Sequence, residues 1–497
     1  VVYPMVGVIS LESKVDTYCI LFQQTAKYAI EHPNDVTDEE RAVLDKLFDY
    51  DELPNVYEPH LADWVKNCLR EQEGSATNPT GSHFAALKKD YLKVWFAQFL
   101  RHPLTYIDAF FETVSGFTTT GSSILENVEL LSNSMLYWRS FTHWLGGMGV
   151  LVFLMAIVPM SNTKGGGEGL ALMRAESPGP SVGKMTPTLR ETARILYLIY
   201  VVMTIIEIIL LFVTGMPLFD SIVLSFGTAG TGGFGVRVDS IDGYSYISQA
   251  IIAVFMMLFG INFSIYYLVL MKDFKSAIKN EELKVYLGVI AIATLLIFFN
   301  VKGSYDSSGV ALLDSYFSVS SIITTTGYAT ANFDLWPQLS RFILVAIMIC
   351  GASAGSTGGG VKVSRMIIMA KAIKREIISV ISPRKVKTIT MDGKPISEVV
   401  IKNTLTYFCV YWFIAIGSMF LLTVLEGFNT EVTVTAVMAC INNIGPGLDM
   451  VGPAGNFSMF SPLSKIILSL NMLIGRLEIW PMLLLFTPSV YKNASRK

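Results

Sequence analysis

Two copies of Thr-Thr-Thr-Gly offer oxygen atoms that could coordinate a cation. They occupy residues 118–121 and 324–327 of a chain of 497 residues. Threonine hydroxyls accept hydrogen bonds, and glycine permits the backbone angles that turn successive carbonyl oxygens toward one point. A ring of such carbonyls can replace the hydration shell of a monovalent cation. One copy alone is weak evidence, because threonine and glycine also cluster in turns and at close helix contacts.

An acidic residue precedes each of four glycine motifs at nearly constant spacing. The four pairs, 13 residues apart in the first three and 14 in the last, are Asp108 and Gly121, Asp220 and Gly233, Asp314 and Gly327, and Glu431 and Gly445. We expect each acidic residue near the N-terminus of a short helix, where it satisfies free amide groups and complements the helix dipole. The sequence therefore predicts four short helices, each followed by a glycine loop.

The composition places these loops in a membrane. Hydrophobic residues make up 52% of the chain and charged residues 16%, against about 25% charged residues in soluble proteins. Apolar runs of about 20 residues are long enough to cross a hydrocarbon core. They lie near 140–160, 195–214, 247–271, 285–300, 404–425 and 466–486, and a further run at 342–370 is interrupted. The sequence predicts an all-α integral membrane protein.

The apolar runs and short helices alternate, which predicts an internal repeat of four units. Each unit would contain a span, a short pore helix, a filter loop and a second span, arranged around one pore. Non-helical backbone at membrane depth is tolerated only where it is buried in protein or lines a watery cavity. We place the units at 106–160, 193–271, 285–370 and 403–490.

Residues 1–105 do not fit this repeat. The first 100 residues carry 16 acidic and 9 basic residues, and no apolar run there reaches 18 residues. We therefore predict that this segment lies outside the membrane and that the first unit lacks its leading span. A gene fusion or a misassembled reading frame would produce such a segment. Without its leading span, the first unit would leave one side of the first glycine loop uncovered, so we expect impaired conduction. The alternative is that residues 1–105 replace the missing helices.

Basic residues concentrate in three connections, 161–194, 272–284 and 371–402. Short loops rich in lysine and arginine stay in the cytoplasm. The alternate connections, which hold the glycine motifs, therefore begin outside and are expected to re-enter the membrane.

From about Ile107 onward the sequence resembles the TrkH/KtrB superfamily of potassium uptake proteins, on the TrkH side. The resemblance rests on the stretches DAFFETVSGFTTTGSS, WRSFTHWLGGMGVLVF, RAESPGPSVGK, LSFGTAGTGGFGV, SIITTTGYAT, GASAGSTGGGVKVSR, NNIGPGL and GRLEIWPMLLLF. It implies a pseudo-fourfold pore with a potassium filter. The filter residues would be Thr118, Thr119, Thr120, Gly121, Gly230, Thr231, Gly232, Gly233, Thr324, Thr325, Thr326, Gly327, Asn442, Asn443, Ile444 and Gly445. The altered second and fourth loops suggest looser ion discrimination.

The interrupted run contains five glycines within residues 351–365. Each glycine destabilises a helix by about 1 kcal/mol relative to alanine, so the span must open into a loop. A flexible kink or a small-residue packing face would give the same pattern. The resemblance implies a gate loop beneath the filter, formed by Gly355, Ser356, Thr357, Gly358, Gly359, Gly360 and Lys362.

Arg476 lies at the midpoint of the run 466–486. An ionised residue there is costly unless it faces protein or water, which makes it a functional candidate. The resemblance implies that Arg476 projects into the ion path and limits leak. The alternative is an ion pair that braces the fourth unit. His143, Glu207 and Asn262 could relay ions, but isolated polar groups in membranes more often form interhelical hydrogen bonds, so we leave them out of the site.

The resemblance implies a multi-pass potassium uptake subunit of the bacterial inner membrane without catalytic chemistry. Potassium would be the transported ion, with no covalently bound cofactor. The implied partners are a second copy of the chain, a cytosolic nucleotide-binding ring of the TrkA/KtrA type and membrane lipid, and no nucleic acid. The alternative is a membrane-bound transferase with its chemistry in the N-terminal segment, where Asp49 and Asp51 spell a DxD motif.

Overall fold

The computed structural model describes residues 35–45, 93–94, 103–149, 189–382 and 388–485. The chain divides into two units, Val1–Ile107 and Asp108–Lys497. In the first unit, helix α1 (Asp38–Leu44) begins with a capping box, in which the Thr37 hydroxyl accepts from the Glu40 N–H and the Glu40 carboxylate accepts from the Thr37 N–H. Most of the predicted N-terminal segment 1–105, including Asp49 and Asp51, lies outside the described residues.

Three helices in the described part of the chain are long and apolar enough to cross a membrane. They are α4 (Leu189–Val213), α9 (Glu281–Val301) and α13 (Glu398–Leu425). Each precedes a shorter helix, and these shorter helices are α5 (Leu218–Gly230), α10 (Ser308–Ile323) and α14 (Thr430–Ile441). Helix α2 (Pro103–Phe117) stands in the same position before the first glycine motif. The prediction of an all-α membrane protein with several spans is confirmed.

The acidic residues do not all lie where the spacing suggested. Asp220 and Glu431 fall in the first turns of α5 and α14, as expected. Asp108 and Asp314 lie inside α2 and α10, whose first turns contain no acidic residue. The expectation of four acidic helix N-termini is therefore wrong for two of them, because α2 and α10 begin further upstream.

The apolar runs after the second, third and fourth glycine motifs are each broken within the run, and the first run is described only as far as residue 149. Helix α3 (Asn133–Gly147) ends at a double glycine. Helices α6 (Tyr246–Phe259) and α7 (Phe263–Leu270) meet at an angle of 90°. Residues 351–362 separate α11 (Gln338–Cys350) from α12 (Val363–Ile381), and a two-residue break separates α15 (Pro462–Arg476) from α16 (Ile479–Leu485).

We expected continuous spans over 247–271 and 466–486, and both expectations are wrong. The side chain of Asn262 accepts a hydrogen bond from the Ser264 N–H and starts a new helix at the first break. Glu478 adopts a φ of +67° at the second, a conformation that an α-helix does not contain.

The remaining elements lie in the connections between spans. Helix α8 (Phe274–Lys279) precedes α9, and strands β1 (Thr390–Met391) and β2 (Lys394–Pro395) form an antiparallel hairpin before α13. The turn residues Asp392 and Gly393 both have positive φ, at +51° and +76°, which is typical of a type I′ hairpin turn.

Apolar packing follows the repeat. One buried cluster joins α9, α10 and α11 and includes Tyr286, Ile322 and Leu344. A second cluster joins α13, α14 and α15 and includes Tyr411 and Leu468. The short helix of each of these units is thus packed against both of its flanking spans, which positions the glycine loop that follows it.

Candidate functional site

The four short helices end in the same backbone turn. The amide groups of Thr120, Gly232, Thr326 and Ile444 donate to the carbonyl five residues earlier, at 2.8 to 2.9 Å. The residue before each of them is left-handed, with φ of +54° at Thr119, +56° at Thr231, +62° at Thr325 and +56° at Asn443. This is the Schellman ending of a helix. A residue other than glycine in this conformation costs of order 1–3 kcal/mol, and such strain clusters at functional sites.

Each turn is followed by a glycine with positive φ. The values are +81° at Gly121, +78° at Gly233, +86° at Gly327 and +95° at Gly445. The sixteen predicted filter residues occupy these four turns, which we call the first to fourth glycine loops (118–121, 230–233, 324–327 and 442–445). The loops therefore share one backbone conformation although their sequences differ.

The glycine loops contact one another in cyclic order. A Cβ atom added to Gly121 would overlap the carbonyl oxygen of Gly232, and one added to Gly233 would overlap that of Thr326. A Cβ atom on Gly327 would overlap the oxygen of Ile444, and one on Gly445 would approach the oxygen of Thr120. The fourth loop thus returns to the first, and the four loops form a closed ring.

The two ends of the ring have different surroundings. A cavity of about 130 Å³ is lined by all four loop-ending glycines, together with the segments that follow the loops. Residues 351–362 contact positions nearer the helix ends, since Thr231 donates to the Thr357 carbonyl at 2.9 Å and the Gly359 amide donates to the Thr325 hydroxyl at 2.6 Å. One end of the ring is open to a cavity and the other is covered.

Threonine hydroxyls brace the first and third loops. Thr118 donates to the Val114 carbonyl at 2.7 Å and lies 2.8 Å from the Thr120 hydroxyl oxygen. Thr324 and Thr326 repeat the second contact at 2.8 Å. In the fourth loop, the Asn442 amide group donates to the Met438 carbonyl at 2.9 Å. Asparagine thus replaces threonine in the same bracing role.

Asn443 joins the fourth loop to the first. Its amide nitrogen donates to the Thr120 hydroxyl at 3.0 Å and to the Met472 carbonyl at 2.9 Å. Among the described residues, its side-chain oxygen and the Thr119 hydroxyl are buried without a hydrogen-bond partner. Both atoms belong to left-handed residues at the covered end of the ring.

The stretch 351–365, which contains the predicted gate loop residues and is called the gate loop from here on, is non-helical over 351–362, and its last three residues begin α12. It is paired with the break between α6 and α7. The Ser353 amide donates to the Gly260 carbonyl at 3.1 Å, and the Phe263 amide donates to the Gly355 carbonyl at 3.0 Å. Two interrupted spans therefore support each other below the ring.

Arg476 binds backbone carbonyl oxygens. It donates to Thr357 and Gly147, both at 2.7 Å, and to Gly146. The alternative role of Arg476 was an ion pair that braces the fourth unit. Glu478, the nearest carboxylate in sequence, instead binds Arg365 with both carboxylate oxygens at 2.7 Å. Arg476 thus joins the gate loop to the end of α3.

Lys362, which the sequence analysis assigned to the gate loop, is buried, with 1% of its surface exposed. It donates to the Gly358 carbonyl within the same loop and has a φ of +79°. Arg365 lies 3.9 Å from the ring centre of Tyr407, which adds a cation–π contact to its ion pair. Lys362 and Arg365 therefore both lie on the covered side of the ring, where Glu478 balances the charge of Arg365.

The four acidic residues of the repeat tie the short helices to other segments of the chain. Asp108 binds Lys465 of α15 at 2.6 Å, and Glu431 pairs with Arg341 of α11. Asp220 accepts from the Tyr244 hydroxyl at 2.9 Å, and Asp314 accepts from the Thr330 hydroxyl at 2.8 Å. Two of them thus form ion pairs with other units of the repeat, and two accept from hydroxyl groups of the segment that follows their own glycine loop.

Two residues that sequence reasoning left out or overlooked contact the site. His143 stacks on Phe234 with ring centres 4.1 Å apart, and its ring fills the space that a Cβ atom on Gly232 would need. Glu282 of α9 accepts from the Ala354 amide at 2.7 Å. No local pattern marks Glu282, because it follows another glutamate at the end of a basic connection.

Comparison with known proteins identifies the family. A family model described as a cation transport protein, TrkH, matches residues 76–494. A second model, of a family of unknown function, matches residues 3–124. We expected the family resemblance to begin near Ile107, but the family match begins earlier, at residue 76. Hydropathy did not indicate the earlier start, since residues 76–106 contain no apolar run of spanning length.

Named relatives cover most of the chain. The Trk system potassium uptake protein TrkH of Salmonella typhimurium is 37% identical over 398 residues, which are 78% of this chain and 80% of that protein. The Trk system potassium uptake protein TrkG of Escherichia coli K12 is 34% identical over 399 residues, with the same coverage of each chain. The crystal structure of the potassium transporter TrkH from Vibrio parahaemolyticus matches with a TM-score of 0.68 and 26% identity, covering 97% of this chain and 99% of that one. The chain belongs to the TrkH family of cation transport proteins.

Proposed function

We propose that this chain is the membrane subunit of a potassium uptake system and that the ring of four glycine loops is its selectivity filter. The closed contact order of the loops supports this proposal most directly, because it brings four equivalent turns from distant parts of the sequence around one centre. The potassium uptake activity named for the relatives agrees with it.

The filter works through backbone carbonyl oxygens. Potassium enters from the cavity that reaches the four loop-ending glycines and exchanges water for carbonyl oxygens within the loops. The positive φ of each glycine lets successive carbonyls turn toward the centre. The sixteen loop residues named above form this path, as the four quadrants of a pseudo-fourfold pore.

The gate loop closes the path on the covered side. It is bonded to the second and third glycine loops, and Arg476 anchors it through the Thr357 carbonyl. Lys362 and Arg476 place fixed positive charge next to the ring, which lowers the occupancy of cations there and limits leak. Opening requires that the hydrogen bonds of Thr231, Thr325 and Arg476 to the loop break.

The setting of this pore is the bacterial inner membrane. A homodimer, with a cytosolic nucleotide-binding ring on the side of the basic connections, completes the proposed system. The transferase alternative has no support from the described residues, because Asp49 and Asp51 lie outside them.

Rubidium uptake into lipid vesicles tests the filter. The chain as written is compared with Gly327→Ser, which puts a side chain against the Ile444 carbonyl, and with Gly417→Ser, which lies in α13 with no atom within 4 Å of an added Cβ. We expect uptake by the unmodified chain and Gly417→Ser and a strong loss in Gly327→Ser. Unchanged uptake in Gly327→Ser would refute the filter assignment, and uptake by none of the three would refute transport.

A further inference from the structure

Glu282 connects three elements below the ring. It lies in the first turn of α9 and is 3% exposed. One carboxylate oxygen accepts from the Ala354 amide of the gate loop at 2.7 Å. The carboxylate also lies near the backbone of Ser364, at the start of α12, and near the side chain of Asn262 at the break between α6 and α7.

A carboxylate suits each of these partners. Amide groups at a helix N-terminus lack partners within the helix and favour negative charge. Hydrogen bonds to an ionised acceptor are roughly twice as strong as neutral ones. The Glu282 side chain therefore holds the gate loop through Ala354, beside the start of α12 and the second broken span.

The gate loop depends on such outside partners. Five of the ten residues from Gly351 to Gly360 are glycine, and glycine loses the most backbone freedom when it is ordered. Three of its own side chains also form bonds, since Ser356 donates to the Ser353 carbonyl, Thr357 to the Phe259 carbonyl and Lys362 to the Gly358 carbonyl. Its position is set by bonds from other elements, among which Glu282 supplies an anionic acceptor.

The position of Glu282 is fixed from the other side by the hairpin β1–β2. Asp392 at the hairpin turn accepts from the Glu281 amide at 2.7 Å and from the Asn280 side chain at 3.0 Å. Lys371 bonds to the Glu281 carboxylate and to the Thr390 carbonyl. The hairpin thus grips the first turn of α9, whose next residue is Glu282.

We propose that Glu282 is a positioning residue that latches the gate loop against the filter ring, and that the hairpin around Asp392 sets the position of this latch. The inference rests on the proposed gate function of residues 351–362. A displacement of the hairpin moves the first turn of α9 and, through Glu282, releases Ala354. A purely structural cap of α12 would not need the bond to Ala354.

Four variants test the latch by rubidium uptake into vesicles without any added partner. Glu282→Gln keeps the size of the side chain and removes its charge, and Glu282→Asp keeps the charge on a shorter side chain. Asp392→Ala changes an exposed residue away from the gate loop. Glu398→Gln is the matched control, because Glu398 lies in the first turn of α13, is exposed and pairs only with Arg375 among the contacts found for it.

We expect Glu282→Gln to raise resting uptake by about tenfold, as expected for the loss of hydrogen bonds to a charged acceptor. The ratio of rubidium to sodium uptake should stay unchanged, because the filter is intact. Glu282→Asp and Asp392→Ala should raise uptake less, and Glu398→Gln should not change it. Thermal unfolding of each variant in detergent shows whether it is folded.

Unchanged or reduced resting uptake in a folded Glu282→Gln would overturn the latch. If that variant does not fold, Asp392→Ala decides alone, and resting uptake equal to the Glu398→Gln control would overturn the proposal. Measuring Gly327→Ser in the same assay separates a failure of the filter assignment from a failure of the latch proposal. A loss of uptake in Gly327→Ser with no effect of the latch variants leaves the filter in place and removes only the latch.

Discussion

Replacing Gly121 by alanine tests the ring at a single atom. Gly121 has a φ of +81°, and an added Cβ would overlap the Gly232 carbonyl oxygen of the neighbouring loop. Left-handed backbone in a residue other than glycine costs about 1–3 kcal/mol, which corresponds to an about 5- to 150-fold shift in population. The overlap adds to this cost, because the Gly232 carbonyl must leave its place in the ring.

Two other glycines separate strain from overlap. Gly215 has a φ of +92°, and no atom of the described residues lies within 4 Å of an added Cβ, so alanine there brings strain without overlap with them. Gly417 lies within α13, also with open space around an added Cβ. Alanine at this helical position should stabilise the protein by up to about 1 kcal/mol.

Rubidium uptake, the rubidium to sodium ratio and the thermal midpoint are measured for all three variants in parallel. We expect Gly121→Ala to lose uptake or ion discrimination by at least about tenfold. A strain energy of about 1.4 kcal/mol, in the lower half of the range above, already corresponds to this factor. Gly215→Ala should lower the midpoint and leave uptake per folded molecule unchanged, and Gly417→Ala should impair neither. Normal uptake and discrimination in Gly121→Ala would refute the ring as the ion path, and equal losses in Gly215→Ala would refute the role of the overlap.

Four further outcomes follow from the described contacts. Arg476→Gln, which loses donors to Thr357 and the end of α3, should raise resting rubidium uptake more than Arg476→Lys does, and equal uptake in both would contradict the anchoring role. Either single change of the buried pair, Arg365→Gln or Glu478→Gln, should cost about 3–5 kcal/mol in thermal unfolding; a double variant whose loss equals the sum of the singles would argue against direct coupling. Asn443→Ala should lower the rubidium to sodium ratio, since the fourth loop loses its bond to Thr120, and an unchanged ratio would show that this bond does not shape the filter. Growth of a potassium-uptake-deficient bacterium at low potassium decides whether the chain as written is impaired, as residues 1–105 led us to expect; robust rescue would contradict that expectation.

The membrane class and the glycine loops could be predicted because both depend on local properties. Apolar runs of spanning length are visible in composition, and a loop that needs positive φ at its last residue selects glycine there. The regular spacing from Asp220 to Gly233, or from Glu431 to Gly445, records the length of one short helix. Such features need no knowledge of distant contacts.

Other features depend on contacts between distant residues. Asp108 and Asp314 have the predicted spacing, but their roles come from Lys465 and Thr330, and the helices around them start earlier. The breaks at Asn262 and after Arg476 lie in runs that remain apolar on average, so hydropathy did not indicate them. Glu282 acts on Ala354, 72 residues away, and nothing in its local sequence indicates this partner.

The cyclic contact order of the ring also limits which positions of the four loops can vary. At the third position of each loop, only the carbonyl oxygen meets the neighbouring glycine, and that position holds Thr120, Gly232, Thr326 and Ile444. At the fourth position a side chain would strike the neighbour, and all four loops carry glycine there. Each loop therefore shapes the space of the next. Side chains can vary at the third position except where another element fills the space, as His143 does beside Gly232, whereas the fourth position is restricted to glycine in all four loops.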